Sequence, residues 1–373
     1  AIGKDALYAN TTADSNTAVG RDALQTNSTG ANNTAVGTEA GETVTTGSQN
    51  TCIGKSSGNN ITTGNNNTFI GESAGGASTA IYNIALGSGA MGSGNGNYNI
   101  AMHYNALSSV GTASENIAIG YRAAESTDRN TNVVMGMYAA RYPMITQSVA
   151  IGGAAMYGVS ESTADVDTCV AIGHSALGGI TTGDDNTAVG ATAGDAITTG
   201  YQNTCIGRGS DTAATVANAT ALGYTAVSTA TNTMAIGNTS VGTIAGQVGF
   251  STYSDERIKT DIVDTDIGLS FINELKPRKF KRVAPKDYPE DFEDPNNNEL
   301  NNPDKVLDGM IAQEVKETMD NLGVTFSGWT EDENTTKQIL AYGDFVVPLI
   351  KAVQELSEKN DSLETRIEEL ENS

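Results

Sequence analysis

Through residues 1 to about 249 a single glycine recurs every 16 or 17 residues, embedded in the unit N-T/I-A-V/I-G-x-x-A. It falls at Gly3, Gly20, Gly37, Gly54, Gly71, Gly87, Gly120, Gly136, Gly152, Gly173, Gly190, Gly207, Gly223 and Gly237, and His103 takes the slot between Gly87 and Gly120. A fixed period of this length marks stacked units that bury their apolar faces only against their neighbours. Three residues after each glycine stands Ala or Ser, from Ala6 and Ala23 through Ser57 and Ser210 to Ser240, which predicts a site too tight for a larger side chain. One residue before it runs an apolar column, including Val19, Val36, Ile53, Leu86 and Ile236, expected to be buried within each subunit.

Within N-T-A-V-G the residues alternate, so Thr17 and Val19 face one way and Asn16 and Ala18 the other, the period of a β-strand. Gly, Asn and Thr are too frequent for helix interiors, and runs such as TTGNNN and TTGDDN are turn sequences that supply positive φ and side-chain hydrogen bonds. Each repeat therefore reads as one coil of a parallel β-solenoid. Asn stands four residues before the glycine in ten repeats, among them Asn16, Asn33, Asn50 and Asn67, positioned to stack as an amide ladder. About fifteen coils at a strand spacing near 4.8 Å predict a rod of roughly 70 Å. A 21-residue interval implies an extra loop over 153–170.

Charged residues make up only 17% of the chain and aromatic residues 6%, with 42 glycines, so each copy buries little core alone and association with identical chains is expected. The net charge is −23, divided as −9 over residues 1–253 (7 basic, 16 acidic) and −14 from Ser254 onward (14 basic, 28 acidic). Both parts are acidic, which argues against the basic face that a phosphate backbone requires, so no nucleic acid partner is expected. Cys52, Cys169 and Cys205 have no metal-ligand spacing; Cys52 and Cys205 sit in the string NTCIG, where other repeats mostly place Ala, and read as small core residues. No metal or cofactor is expected. His103, lone and without a partner, reads as a substituted turn residue. No run of 18 apolar residues is present, so no membrane insertion is expected. The chain opens mid-repeat at AIGKDAL and reads as a piece of a longer one.

The NTAVG/SVAIG repeat resembles the head repeats of trimeric autotransporter adhesins and the shaft repeats of phage tail fibres. That resemblance implies three chains, each forming a β-roll around a shared axis.

After Gly249 the repeats stop and charge rises. The junction reads GFSTYSDERIKTDI, followed by FINELKPRKFK, DGMIAQEV and AYGDFVVPLIKAVQEL. These four ordered motifs resemble the intramolecular chaperone auto-processing domain found at the C-terminus of endosialidase tailspikes, phage neck appendages and myelin regulatory factor. The resemblance implies a cut between Tyr253 and Ser254 by a dyad of Ser254 and Lys259, with Asp255 and Arg257 in support. Chemically, a serine hydroxyl needs a base, and Lys serves only where burial in an apolar site lowers its pKa from about 10.4 towards 7 or 8. Ser254 would attack the carbonyl of Tyr253 through a five-membered ring.

The last thirty residues carry heptads. Ile339, Val346, Val353, Asn360 and Ile367 share one core position, and Tyr342, Leu349, Leu356, Leu363 and Leu370 the other. Asp344 is expected to cap this helix, with Pro348 in its first turn. The trimerising set is thus Val346, Leu349, Val353, Leu356, Asn360, Leu363, Ile367 and Leu370.

The sequence accordingly predicts a mainly β chain: a trimeric parallel β-solenoid (β-roll) shaft over 1–249, a linker over 250–253, a small α+β auto-processing domain over 254–343, and a C-terminal coiled-coil helix over 344–373. The function expected is that of a viral fibre or appendage whose C-terminal domain drives trimeric folding and then releases itself in a single turnover. Its precursor would fold in the host cytoplasm, and the virion-borne fibre would meet a host-surface receptor of unknown identity. The competing expectation is a bacterial or phage surface adhesin with a permanent, non-cleaving C-terminal foot.

Overall fold

Each repeat contributes a strand of only three residues, because the column glycine after it and the residue two before it, such as Ser15, Asn32 or Gln49, hold positive φ that no strand accommodates. Fourteen such strands, from Thr17–Val19 to Met234–Ile236, form one parallel sheet in which every coil pairs with the next in register, as in Thr17 with Thr34, Ala18 with Ala35 and Val19 with Val36. The structure, a computed structural model, describes residues 1–373 apart from 77, 110, 127–128, 143, 159–164, 248–250, 285–286, 289–303, 333–335 and 373. It divides into two compact units, Ala1–Asn238 and Thr239–Ser373. The expected solenoid and the small C-terminal domain with its helix are both present. The centre of the loop expected over 153–170, and the break at Gly249 with the first linker residue, lie outside the described residues. Flanking that loop, Met144–Thr146 pairs in parallel with Asp165–Asp167.

The middle residue of each strand points into the coil and is fully buried, as at Ala18, Ala35, Cys52, Ala101 and Ala188. Opposite it lies the Ala/Ser column, also buried. The column glycines explain why the lumen is narrow: Gly20 has φ +138°, and a Cβ there would stand 2.2 Å from the carbonyl oxygen of Gly37. His103 occupies this column at φ +111°, a strained angle for any residue with a Cβ. Phe69 is the one large residue at the strand centre, and its ring fills the space that Gly75 leaves, where a Cβ would meet it at 2.2 Å.

This narrow lumen overturns one expectation. The column of Val19, Val36, Ile53 and Ile206 is not buried within the subunit; Val36 is 37% exposed and Ile206 41%. Alternation makes Thr17 and Val19 share a face, and the residue between them, Ala in most coils, is the one that meets an interior already filled from the turns by Leu24, Ile61, Met91, Leu107 and Leu177. Both flanking columns therefore line the outer face of the sheet.

The amide ladder is present. Asn33 donates from Nδ2 to the Gly47 carbonyl at 2.8 Å while its Oδ1 accepts from the backbone N–H of Asn50 at 2.9 Å, and the pattern repeats through Asn67, Asn83, Asn99, Asn116 and Asn132. At two positions where Asn is missing the acceptor is kept: Ser148 Oγ accepts from Cys169 N at 3.1 Å, and Cys169 Sγ accepts from Asn186 N at 3.3 Å. All three cysteines are buried and unpaired, and burial pushes each thiol up to about 12.

In the C-terminal unit, α1 (Leu269–Glu274) leads to an antiparallel pair, Arg278–Phe280 with Leu307–Gly309. Helix α2 (Ala312–Leu322) follows, then a second pair, Trp329–Glu331 with Gln338–Leu340. Phe271, Val315, Met319, Phe326 and Phe345 form the core, with the Phe326 ring 5.3 Å from Phe271 and 4.6 Å from Phe345. Helix α3 (Val346–Glu371) begins after a 3-10 turn, Tyr342–Phe345. Asp344 lies inside that turn and accepts from Ser327 Oγ at 3.1 Å, so it does not cap α3, whose N-cap Phe345 has no side-chain bond. Ile339 sits in a strand and Tyr342 in the turn, so the helical heptads begin at Val346.

Two outcomes follow from the shaft. Asn99→Ala leaves the buried N–H of Asn116 and the carbonyl of Ala113 without their partners. It should cost about 1–3 kcal/mol in denaturant unfolding of the shaft, whereas Asn10→Ala, on an exposed turn, should cost little.

Asp211 stands where other coils place Leu24, Ala124 or Gly194, half-buried, accepting from Ala196 N at 3.1 Å and Thr212 N at 2.8 Å. Burial, then the adjoining Asp195 carboxyl, pushes its acid up to about 7. Its neutral form is favoured in the fold, so its stabilising contribution is complete below about pH 4 and is lost as pH rises through about 7. Relative to Asp211→Asn, the wild-type shaft should therefore lose melting temperature between pH 5 and pH 8; parallel pH curves for the two proteins would contradict this.

Candidate processing site

The string Ser254-Asp255-Glu256-Arg257-Ile258-Lys259 folds as one capped turn. Asp255, extended at φ −68° and ψ 136°, caps a 3-10 turn over Glu256–Ile258 by accepting from Arg257 N at 2.9 Å. The same carboxylate takes the Arg257 side chain twice, Nε at 2.9 Å and Nη2 at 2.7 Å. The guanidinium, more than the backbone N–H, holds the Asp255 carboxyl below its usual range, and Asp255 in turn raises Arg257. Asp255 and Arg257 are thus committed to each other and to the shape of the turn. Lys259 N closes it by donating to Glu256 O at 3.0 Å.

That turn brings the five-residue separation round on itself, and Lys259 Nζ lies 2.7 Å from Ser254 Oγ. Tyr253, which carries the carbonyl on the other side of the junction, is 93% exposed. Ser254 and Lys259 are exposed as well, and so are the nearby apolar residues Ile258, Ile262 and Val263. The geometry can pass a proton between Ser254 and Lys259. The apolar surroundings that a lysine base requires are not supplied by the described part of one chain.

On α3 the residues Val346, Leu349, Val353, Leu356, Leu363, Ile367 and Leu370 form one exposed apolar line, and Asn360 donates to Glu364 at 3.2 Å. One functional contact has no heptad signal in the sequence. Glu355 of α3 accepts from the backbone N–H of Leu269 at 2.8 Å, at the first turn of α1, and a Cβ on Gly268 would stand 2.6 Å from its carboxylate. The long helix is thereby fastened to the folded domain. Tyr342 adds a second fastening, its hydroxyl accepting from Met310 N at 2.8 Å. Among the described residues no helix is long and apolar enough to cross a membrane, and no cluster of His, Cys, Asp and Glu could hold a metal ion.

Residues 254–324 match the family described as chaperone of endosialidase, the match opening on Ser254 itself. No curated protein matches the chain. The matched family is one of self-cleaving intramolecular chaperones, and the match together with the solenoid shaft fits a tail-fibre-type protein with a C-terminal chaperone domain.

Glu355→Ala should remove the acceptor at α1 and cost about 0.5–2 kcal/mol in unfolding of the C-terminal unit, with the shaft transition unmoved.

Proposed function

We propose that this chain is a virion fibre or appendage whose C-terminal unit assembles three copies and then detaches itself by cutting the Tyr253–Ser254 bond. The observation that carries the reading is the 2.7 Å approach of Lys259 Nζ to Ser254 Oγ at the first residue of the family match. Lys259 as a neutral amine takes the hydroxyl proton while Oγ attacks the Tyr253 carbonyl carbon. The C–N bond then breaks, the proton passes to the freed amine of Ser254, and Tyr253 is left as an ester on Ser254 Oγ. Water hydrolyses that ester, giving a Tyr253 carboxylate and restoring the hydroxyl. The freed shaft no longer carries the site, so each chain turns over once.

Two surfaces support association of identical chains. The outer face of the shaft sheet carries no charged residue in either flanking column over fourteen coils, in a chain of net charge −23. Between Ile84 and Ile172 both columns are apolar throughout, with Ile100, Ile117, Val133 and Val149 replacing the threonines found elsewhere. The apolar line on α3 continues for nearly four heptads from Val346. The exposure of Ser254 and Lys259 in one chain fits a site that becomes active only when assembly covers Tyr253, Ile258, Ile262 and Val263. It also makes the permanent foot the reading to beat.

Wild type should yield fragments of 253 and 120 residues on denaturing electrophoresis without added protease. Ser254→Ala and Lys259→Ala should stay whole yet sediment as trimers. Lys259→Arg should also stay whole, because guanidinium does not give up its proton. A wild type that trimerises and stays whole would leave the foot as the correct reading, and normal cutting of Ser254→Ala would remove the dyad.

Leu356→Asp places a charge in the middle of the α3 line. Sedimentation should then give monomers that remain uncut, since the variant leaves the dyad turn intact but withdraws the association that covers it.

A further inference from the structure

The turn that carries Ser254 is built from residues on the C-terminal side of the Tyr253–Ser254 bond. Asp255 accepts from Arg257 N at 2.9 Å and holds the Arg257 side chain at 2.9 and 2.7 Å, and Lys259 N donates to Glu256 O at 3.0 Å. All of these bonds lie within residues 255–259. Cutting before Ser254 therefore leaves the turn in place, and with it the 2.7 Å approach of Lys259 Nζ to Ser254 Oγ. What the cut adds is an α-amino group on the carbon next to the one that bears the hydroxyl. Before the cut the base at hand is a lysine, and a lysine in water holds its proton. An α-amino group loses its own at roughly pH 7.7–8.0, and a neighbouring ammonium disfavours its charged form further. Of the charges in the turn, Arg257 is taken by Asp255, Glu256 is exposed to water, and Lys259 reaches Ser254 Oγ and so stands beside the new amine. An open pocket of about 520 Å³ adjoins the bond, lined by Tyr253, Asp255, Arg257 and Ile258, and all of these but Tyr253 stay with the released unit.

We propose that the released C-terminal unit is an acyl acceptor, taking one acyl group from a thioester onto the α-amine of Ser254 by way of its hydroxyl. The inference rests on the cleavage reading, since it runs the ester step of that reaction back towards an amide with a new acyl group. Ser254 Oγ attacks the thioester carbonyl carbon while the α-amine takes the hydroxyl proton. The C–S bond breaks, and the leaving thiolate picks up that proton. The acyl group, now an ester on Oγ, passes through the same five-membered ring to the α-nitrogen, and the proton this nitrogen gives up returns to Oγ. One thioester and one amine thus become one amide and one thiol, with no oxidant or cofactor. A site that moves a backbone acyl group from nitrogen to Oγ serves the return passage as well, because both directions share one transition state. A thioester suits the site because a thiol of pKa about 8.5 leaves more readily than an alcohol. The amine is consumed when the amide forms, so each unit accepts one group.

The test uses the full-length chain with the recognition sequence of a site-specific protease inserted between Tyr253 and Ser254, where Tyr253 is exposed, so that every variant is cut to give residue 254 as an amino terminus. The fragments are kept together, S-acetyl-N-acetylcysteamine is added near neutral pH, and the mass of fragment 254–373 is followed, with tandem mass spectrometry locating the acetyl group. Ser254 should be acetylated on its α-nitrogen about tenfold or more faster than the terminal amine of the Ser254→Ala chain. Lys259→Gln removes the amine beside Oγ and should slow the reaction of the Ser254 chain several-fold. Equal rates for wild type and Ser254→Ala would reduce the site to an ordinary terminal amine and overturn the proposal. An unchanged rate in Lys259→Gln, or acetyl found on Lys259 in place of Ser254, would overturn it too. The chain without the insertion, incubated without protease, reports on self-cleavage alone: if it stays whole the processing reading fails, while the protease-cut chain still decides the acceptor.

Discussion

Most coils of the shaft are tied to the next by an amide side chain that bonds in two directions, and much of the remaining architecture follows from that coupling. The Nδ2 of Asn33 reaches a carbonyl in the following turn while its Oδ1 receives the N–H of Asn50, so a one-residue slip would leave both groups unpaired in a dry lumen. Gly20 and its equivalents then let neighbouring backbones close to distances that no Cβ permits. Together these contacts fix a lumen to which the strands contribute alanine in most coils while the turns fill it with Leu24, Ile61, Met91, Leu107 and Leu177, and Phe69 enters at a strand centre where Gly75 vacates the opposing space.

A lumen of that size has a consequence on the outside. The shaft's Val, Ile and Leu must go somewhere, and 18 of the 38 over residues 1–249 stand in the two columns on the outer face of the sheet. A single copy thus leaves a continuous apolar face in water beside its own filled core, the condition in which association with like chains contributes most. The coils are close to identical, so that outer face on its own distinguishes poorly between a correct alignment of copies and one displaced by a coil. In the proposed assembly, a helix at one end that gathers the chains at a common point would remove that ambiguity before the long faces meet. The fastening of α3 to α1 through Glu355 gives the gathering helix a rigid base.

The period, the turn residues and the amide column were legible because each is a local requirement written once per coil. The orientation of the valine column was not, since alternation states which residues share a face but not which face is inside; that depends on lumen width, set by glycines in the adjacent coil. Cys169 stands outside the NTCIG string, and its use as an acceptor in the ladder emerges only when it is placed between Ser148 and Asn186. Asp344 carried a capping signature that the 3-10 turn of Tyr342–Phe345 redirected to Ser327. Glu355 gave no signal, because its partner is a backbone N–H 86 residues away.

The processing turn was legible as a spacing and not as an environment. Asp255 and Arg257 close the turn by themselves, and the Ser254–Lys259 approach is therefore available before anything else packs on it. A lysine in water holds its proton, however, and a protonated amine cannot accept another. An exposed turn of this kind separates the geometry of cleavage, which one chain builds alone, from its electrostatics, which one chain does not provide. In the proposed mechanism the missing factor is exclusion of water from around Ile258, Ile262 and Val263. On that proposal, whatever covers those three side chains would decide when the bond is cut, and coverage by the assembled fibre would order cleavage after folding without any further regulator.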